Sequence, residues 1–302
     1  MIQMKEKVCG PYHFDGILQR LSLDPLNQVD LEQRFIKVPV YIQDEKIPVT
    51  VQATGTLEQP EFLLTFQENN QVTKTDVKKE VERLFQWNTN MQEIHEHFLQ
   101  TDLAPIFEQH KGTPLVLDFG LYSCVIKCII HQQLNLSFAF TLTQRFVETF
   151  GEQKEGVWFY PSPEVIANLK VEDLRELQFS GRKAEYVIGF SQLVASGEID
   201  LHELKSKDEA YIMDTLMRVR GIGKWTAENF LSFGLGRPNL FPAADIGLQN
   251  ALKNLHQLDR KPTYEEMDEW KEAWKPYMTY ASLYLWRSIE SATTKKKTTT
   301  NK

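Results

Sequence analysis

Two short stretches carry the residue types from which chemistry could be built. The first is Leu216-Met217-Arg218-Val219-Arg220-Gly221-Ile222-Gly223-Lys224-Trp225-Thr226-Ala227-Glu228. Two glycines around one apolar residue permit a tight turn with positive φ and let another backbone come close. A helix is predicted on each side. Ser206 and Glu209 have capping-box spacing ahead of the apolar stripe Tyr211, Ile212, Leu216 and Met217, and a second helix starts at Lys224 with Trp225, Phe230 and Leu231 apolar. The turn thus ends at a helix N-terminus, whose unsatisfied N–H groups can cradle a phosphate with few basic side chains. Arg218, Arg220 and Lys224 add local positive charge. Downstream comes Asn239-Leu240-Phe241-Pro242-Ala243-Ala244-Asp245-Ile246-Gly247-Leu248-Gln249. Asp245 stands just before an apolar helical run, in the position of an N-cap. A carboxylate there accepts backbone N–H bonds at the positive end of the helix dipole. It is a helix cap on one reading and a fixed negative charge presented to a cleft on the other.

A glycine turn alone is only an αα-hairpin, but the two stretches together are more specific. Val219 to Ala227, followed by Phe241 to Gly247, resembles the helix-hairpin-helix DNA glycosylases and is similar within them to the bacterial 3-methyladenine DNA glycosylase II group. Ile129-Ile130-His131-Gln132-Gln133-Leu134-Asn135-Leu136-Ser137 is similar to the family's wedge. Leu174 to Ala184 is similar to the loop before the hairpin, and Trp274-Lys275-Pro276-Tyr277 with Tyr284-Leu285-Trp286-Arg287 to the C-terminal helix. Pro11-Tyr12-His13-Phe14 fits the N-terminal start. The resemblance spans residues 8 to 290.

The resemblance implies a monofunctional glycosylase of base-excision repair that flips alkylated purines such as 3-methyladenine out of double-stranded DNA and hydrolyses the N-glycosidic bond. Asp245 falls on the catalytic aspartate, which stabilises an oxocarbenium-like sugar and positions water. An alkylated base is already cationic and leaves without a dedicated general acid. Bifunctional relatives place a Schiff-base lysine where this chain has Trp225, which argues against lyase action. Trp225, Trp286, Tyr12 and Asn229 fall on the base pocket, where aromatic faces would hold a cationic base; Phe14 is a further candidate wall. Arg220, Gly221, Ile222, Gly223, Lys224 and Thr226 form the DNA-binding hairpin, and Gln132 and Gln133 the wedge that fills the hole left by the flipped base. Main-chain carbonyls of Met217, Val219 and Ile222 would hold a monovalent cation, Na or K. No cofactor is implied for the chemistry. Asn229 stands where known relatives carry an aromatic, and Ala244 replaces a second acidic residue; both bear on substrate range. Two other readings stay open: a catalytically silent DNA-damage binder, and an oxidised-base glycosylase/lyase.

These residues need elements to position them. Residues 30 to 70 read as strands. Phe35, Val38, Val40 and Ile42 form one run and Ile47, Val49 and Val51 alternate, with Asp44-Glu45-Lys46 between them; Phe62 to Phe66 is a third strand, closed by Glu68-Asn69-Asn70. Asp76 reads as the N-cap of a helix carrying Val77, Val81, Leu84 and Phe85. From residue 88 apolar positions recur at helical spacing through 91–110, 119–133, 137–150, 163–169, 183–196, 208–217, 224–234, 246–255, 264–274 and 277–290. The expected class is α+β: a small N-terminal antiparallel β-sheet domain (1–87), an all-helical body (88–291) with its hairpin at 208–234, and a disordered Lys/Thr-rich tail (292–302).

Composition agrees with a globular chain. The 302 residues carry 34 basic and 41 acidic side chains, a net charge of −7, which excludes a uniformly basic coat. Three cysteines, Cys9, Cys124 and Cys128, are too few for a disulfide framework or a four-cysteine iron–sulfur cluster. No apolar run approaches the ~20 residues of a membrane span, and the N-terminal residues lack the apolar centre of a secretory signal. The expectation is a monomer in the bacterial cytoplasm and nucleoid.

Overall fold

The chain opens with strand β1 (Ile2–Lys7) and helix α1 (Phe14–Leu21), then β2 (Gln28–Asp30), β3 (Phe35–Ile42), β4 (Glu45–Ala53) and β5 (Glu61–Phe66). The computed structural model describes residues 1–43, 45–67 and 71–299, with side chains to Glu290. The strands form one antiparallel sheet in the order β1-β5-β4-β3-β2. Its register follows from β4, where Ile47, Val49, Val51 and Ala53 alternate and all face inward. Across from them, Val49 meets Val38 and Phe66, and Val51 meets Ile36 and Leu64. A one-residue slip would turn this whole set to solvent. The pattern did not announce β1, α1 or β2. Strand β1 is an edge with alternate Lys and Glu, which pairs by backbone and has little apolar alternation to read. Asp44 and Glu68 to Asn70, expected in turns, lie outside the described residues.

Helix α2 (Lys74–Leu84) is capped by Thr73, not by Asp76. Thr73 accepts the Asp76 N–H at 3.2 Å and Asp76 Oδ2 accepts the Thr73 N–H at 3.1 Å, so Asp76 closes a capping box from the third helical position. The helical body follows: α3 (Met91–Phe98), α4 (Ala104–Gln109), α5 (Leu121–His131) and α6 (Leu136–Phe150). A small antiparallel ribbon, β6 (Glu152–Lys154) with β7 (Val157–Phe159), interrupts it, too short to show a period in sequence. Then come α7 (Pro163–Ala167), α8 (Val171–Glu176), α9 (Gly181–Ala195), α10 (Leu201–Leu204), α11 (Glu209–Met217) and α12 (Lys224–Asn229), which runs on as a π-helical turn, Phe230–Gly234. Helices α13 (Ile246–Leu255), α14 (Tyr264–Glu272) and α15 (Met278–Thr299) complete the chain. Helix α11 is capped by Asp208, two residues beyond Ser206. The tail expected to be disordered from residue 292 has helical backbone through Thr299, and residues 300–302 lie outside the described residues.

Two hydrophobic cores hold these elements, and their division does not fall at residue 87. One core joins the sheet and α1 to α2, α3 and α4, and also takes in Phe241, Leu248, Leu252, Trp274, Tyr284 and Leu285 from the far end of the chain. A stack of Phe98, Phe107 and Tyr284, with ring centroids 3.9 and 3.7 Å apart, lies in this core. The other core is built from α5 through the π turn, joined by Leu26 from the loop after α1. The chain thus begins and ends in one core and inserts the second between.

Candidate active site

Asp245 is placed by the strap from residue 236 to 244, which is tied to α15. Buried Thr279 receives the Leu240 N–H on Oγ1 at 3.0 Å and donates that hydroxyl to the Arg237 carbonyl at 2.7 Å; its own N–H donates to the Pro238 carbonyl at 2.8 Å. The strap ends in a turn in which the Asp245 N–H donates to the Pro242 carbonyl at 2.8 Å. Asp245 then caps α13, with Oδ1 accepting the Leu248 N–H at 2.9 Å. The predicted cap is therefore real, and it is only part of the story.

Two indoles also converge on the carboxylate. Trp286 Nε1–H donates to Oδ1 at 2.9 Å and Trp225 Nε1–H to Oδ2 at 3.0 Å. Three N–H donors from three elements fix both position and rotamer. Trp286 packs against the chain-end core and Asp245 caps α13, whose Leu248 and Leu252 lie in it, whereas Trp225 stands on α12, whose Ala227 lies in the inserted core, so the cluster spans the seam between them. All three residues are part-exposed. Phe233, packed against both cores, lies 5.8 Å centroid to centroid from Trp286. Gly247 makes room for this pair: a Cβ there would lie 3.0 Å from Asp245 Oδ1 and 3.2 Å from Trp286 Cδ1, close enough that one of them would have to shift by a few tenths of an ångström. Sequence reasoning passed over Gly247, Phe233 and Thr279. The Gly two residues after Asp245 was on view, but its purpose depends on a tryptophan brought in from α15.

Other predicted pocket residues are elsewhere. Tyr12 is a core residue: it is buried, edge-on to Phe62 at 5.6 Å, and its hydroxyl donates to the Phe85 carbonyl at 2.6 Å. Phe14 packs in the same cluster. Asn229 is buried, and its Nδ2 donates to the Trp225 carbonyl at 2.7 Å, so it braces the helix that carries Trp225 rather than lining a pocket with its amide.

The hairpin forms as expected. Gly221 has φ +94°, and a Cβ there would fall 2.2 Å from Tyr186 Cγ on α9, so both conformation and contact demand glycine. Gly223 caps α12 with extended backbone, and a Cβ there would meet nothing within 4 Å. Packing within the chain does not require that glycine. Ile222 and Val219 are buried in the inserted core, and the Ile222 N–H donates to the Val219 carbonyl at 3.0 Å. Arg220 is 76% exposed, pairs with Glu185 at 2.7 Å and lies over the Tyr186 ring at 5.7 Å. Lys224 is 70% exposed, with Nζ 3.7 Å from Glu228. Met217 is exposed at the end of α11.

Of the two glutamines expected to form the wedge, Gln132 is turned inward. Its Nε2 donates to the Gly221 carbonyl and to Thr226 Oγ1, both at 2.9 Å, and Thr226 is buried. Gln133 is exposed at φ +57°, the part of the turn that can reach outward. Cys124 and Cys128 are buried on α5, while Cys9 is exposed. Among the described residues no cluster of His, Cys, Asp or Glu could hold a metal ion, and no helix is long and apolar enough to cross a membrane.

Comparison with known proteins agrees with this geometry. Residues 126–276 match the family model of the HhH-GPD superfamily of base excision DNA repair proteins. The chain is 55% identical, over 96% of its length and all of the relative's, to the YfjP protein of Bacillus subtilis, provisionally named a DNA-3-methyladenine glycosylase. A second B. subtilis protein, named DNA-3-methyladenine glycosylase, is 36% identical over 65% of this chain and 71% of its own. In fold, the 3-methyladenine DNA glycosylase of Archaeoglobus fulgidus superposes with a TM-score of 0.81 at 23% identity, covering 95% of this chain and 97% of that one. A hairpin of this form, an aspartate held at the seam between two cores and these relatives together place the chain in the HhH-GPD superfamily of base excision DNA repair proteins, among the DNA-3-methyladenine glycosylases.

Proposed function

We propose that the chain hydrolyses the N-glycosidic bond of alkylated purines such as 3-methyladenine in double-stranded DNA, without lyase action. The observation that carries this reading is the Asp245 carboxylate, held at a part-exposed seam by the N–H groups of two tryptophans. The indoles are suited to two tasks. Their N–H edges hold the aspartate, and their faces offer π density to a base that carries positive charge. With the base extruded, the carboxylate stands by the deoxyribose and stabilises the cationic sugar as the bond to the departing base breaks. Oδ2 accepts a single N–H, so it keeps a lone pair with which to orient the attacking water. Lys224, the amine nearest in sequence to the family's Schiff-base position, is set beside Glu228 on its own helix and makes no bond to the Asp245 cluster.

Gly223 offers its helix N-terminus to one phosphate, and Gln133 enters the stack. The carbonyls of Met217, Val219 and Ile222 are neutral hard oxygens at a helix end and a turn. This donor set suits a monovalent cation such as Na or K, which would add positive charge beside that phosphate. The protein acts as a monomer in the cytoplasm.

The test is release of free 3-methyladenine from methylated duplex DNA. Wild type should release it and Asp245→Asn should not; equal release by both, or none by either, rejects the reading. Borohydride reduction on lesion DNA should leave no covalent adduct, and an adduct would instead indicate an oxidised-base glycosylase/lyase.

A further inference from the structure

One cation beside the inserted core has no carboxylate partner among the described residues. Lys183, at the third position of α9 after the Ser180 cap, points its ammonium at the end of α5. It donates to the carbonyls of Ile129, Ile130 and Gln132 at 2.9, 2.6 and 3.0 Å. Three protons meet three acceptors, at a helix C-terminus whose dipole favours positive charge. Burial lowers its pKa to about 8, so the contact is costly to maintain as well as specific.

The turn that Lys183 grips is the turn that Gln132 leaves. The Gln132 amide uses both its N–H bonds on the glycine hairpin, at Gly221 and Thr226. It cannot hold these and extend into a duplex at once. One turn further along α9, Tyr186 packs on Gly221 and Glu185 holds Arg220. The first two turns of α9 thus touch both loops through different residues, and Gln132 joins the loops to each other.

We propose that Lys183 and Gln132 are positioning residues that lock the wedge turn and the glycine hairpin into one rigid grip, so that grasping the strand and driving Gln133 into the stack are a single act. This rests on the glycosylase reading above and adds to it the division of labour between the two glutamines: Gln132 is the bracket, and only Gln133 is the wedge.

The test separates extrusion from chemistry. Lys183→Met and Gln132→Leu keep side-chain bulk and remove the bonds, while Lys183→Arg keeps the charge. Extrusion is read by 2-aminopurine fluorescence beside an abasic analogue, and excision by single-turnover release from two substrates: a lesion paired in duplex, and the same lesion already unpaired in a bulge. Each bond-deleting variant should lose roughly tenfold or more in extrusion and in paired-lesion excision, and the double variant should be little worse than either single one, as coupled residues behave. Bulged-lesion excision should stay near wild type, and Lys183→Arg should recover most of the loss. Wild-type extrusion by Gln132→Leu, equal losses on both substrates, or losses that multiply in the double variant would overturn the proposal; so would absence of extrusion by wild type. If Lys183→Met does not fold, Gln132→Leu, which leaves the Lys183 carbonyl contacts in place, decides by the same readings. Normal extrusion without any base release would sink the glycosylase reading and leave this one standing.

Discussion

The two regions of the candidate site hold their working groups by opposite means. On the pocket side a side chain, Asp245, is gripped mostly by other side chains, Trp225 and Trp286, from remote parts of the sequence. On the grip side the working surface is backbone: a turn at φ +94°, an open glycine cap, and carbonyls gathered by Lys183 and Gln132. Chemistry can therefore be retuned by single replacements, whereas grip depends on chain conformation, which few residues other than glycine provide. Damage to the two sides should separate in experiment.

Asp245→Asn gives the sharpest separation. It replaces an acceptor with a group that presents its own N–H to the indoles, and it removes the charge that the proposed function sets beside the sugar. Excision should fall by about 10²–10³-fold while affinity for a duplex carrying an abasic analogue is kept. A comparable fall in affinity would mean the pocket is not separate from the grip.

Glycine replacements probe the other side. Gly221→Val forces a β-branched residue into φ +94° against Tyr186 and should cost about 3 kcal/mol in stability, seen by denaturant unfolding, together with DNA binding. Gly223→Val meets nothing inside the chain. It should leave the melting temperature within a degree or so while weakening DNA affinity. Equal stability losses at both glycines would refute the assignment of Gly223 to outside contact.

Acid acts on the wedge turn through His131. Burial holds His131, at the end of α5, well below its ordinary pKa, down to about 3, with Nε2 3.1 Å from Thr143 Oγ1. Below about pH 6.5 the unfolded chain takes up a proton that the folded one refuses. Stability present above that pH is therefore lost as pH falls, by about 2 kcal/mol at pH 5 from this group alone. Melting at pH 7 and pH 5 for wild type and His131→Asn should show this share removed in the variant.

The smallest effect separates the two indoles from their packing. Trp286→Phe and Trp225→Phe each delete one donor to Asp245 and keep most of the apolar surface; each should slow excision roughly tenfold with little change in affinity. A loss of affinity instead would make the tryptophans DNA contacts first.

Both regions are legible in the sequence only in part. Asp245 and the hairpin are declared by residue type and spacing, and Trp225 and Trp286 by their agreement with the same family pattern. The sheet is readable where one face is buried, as in β4, and unreadable at β1, where backbone pairing suffices. Tyr12 misled because an aromatic that lines a pocket and one that fills a core look alike in a linear string; only the buried hydroxyl on Phe85 distinguishes them. Gln132 and Gln133 are identical neighbours, and a change of backbone sign at Gln133 sends them opposite ways. Lys183 gave no signal because its partners are carbonyls, which every residue has.

Trp286 reaches the aspartate from the last helix, and Arg287 beside it donates to the carbonyl of Gly16 near the chain's start at 2.9 Å. The aspartate's second indole is thus anchored, one residue on, to the first helix of the chain, so that loosening the contact between the first and last helices would loosen a donor on Asp245 as well.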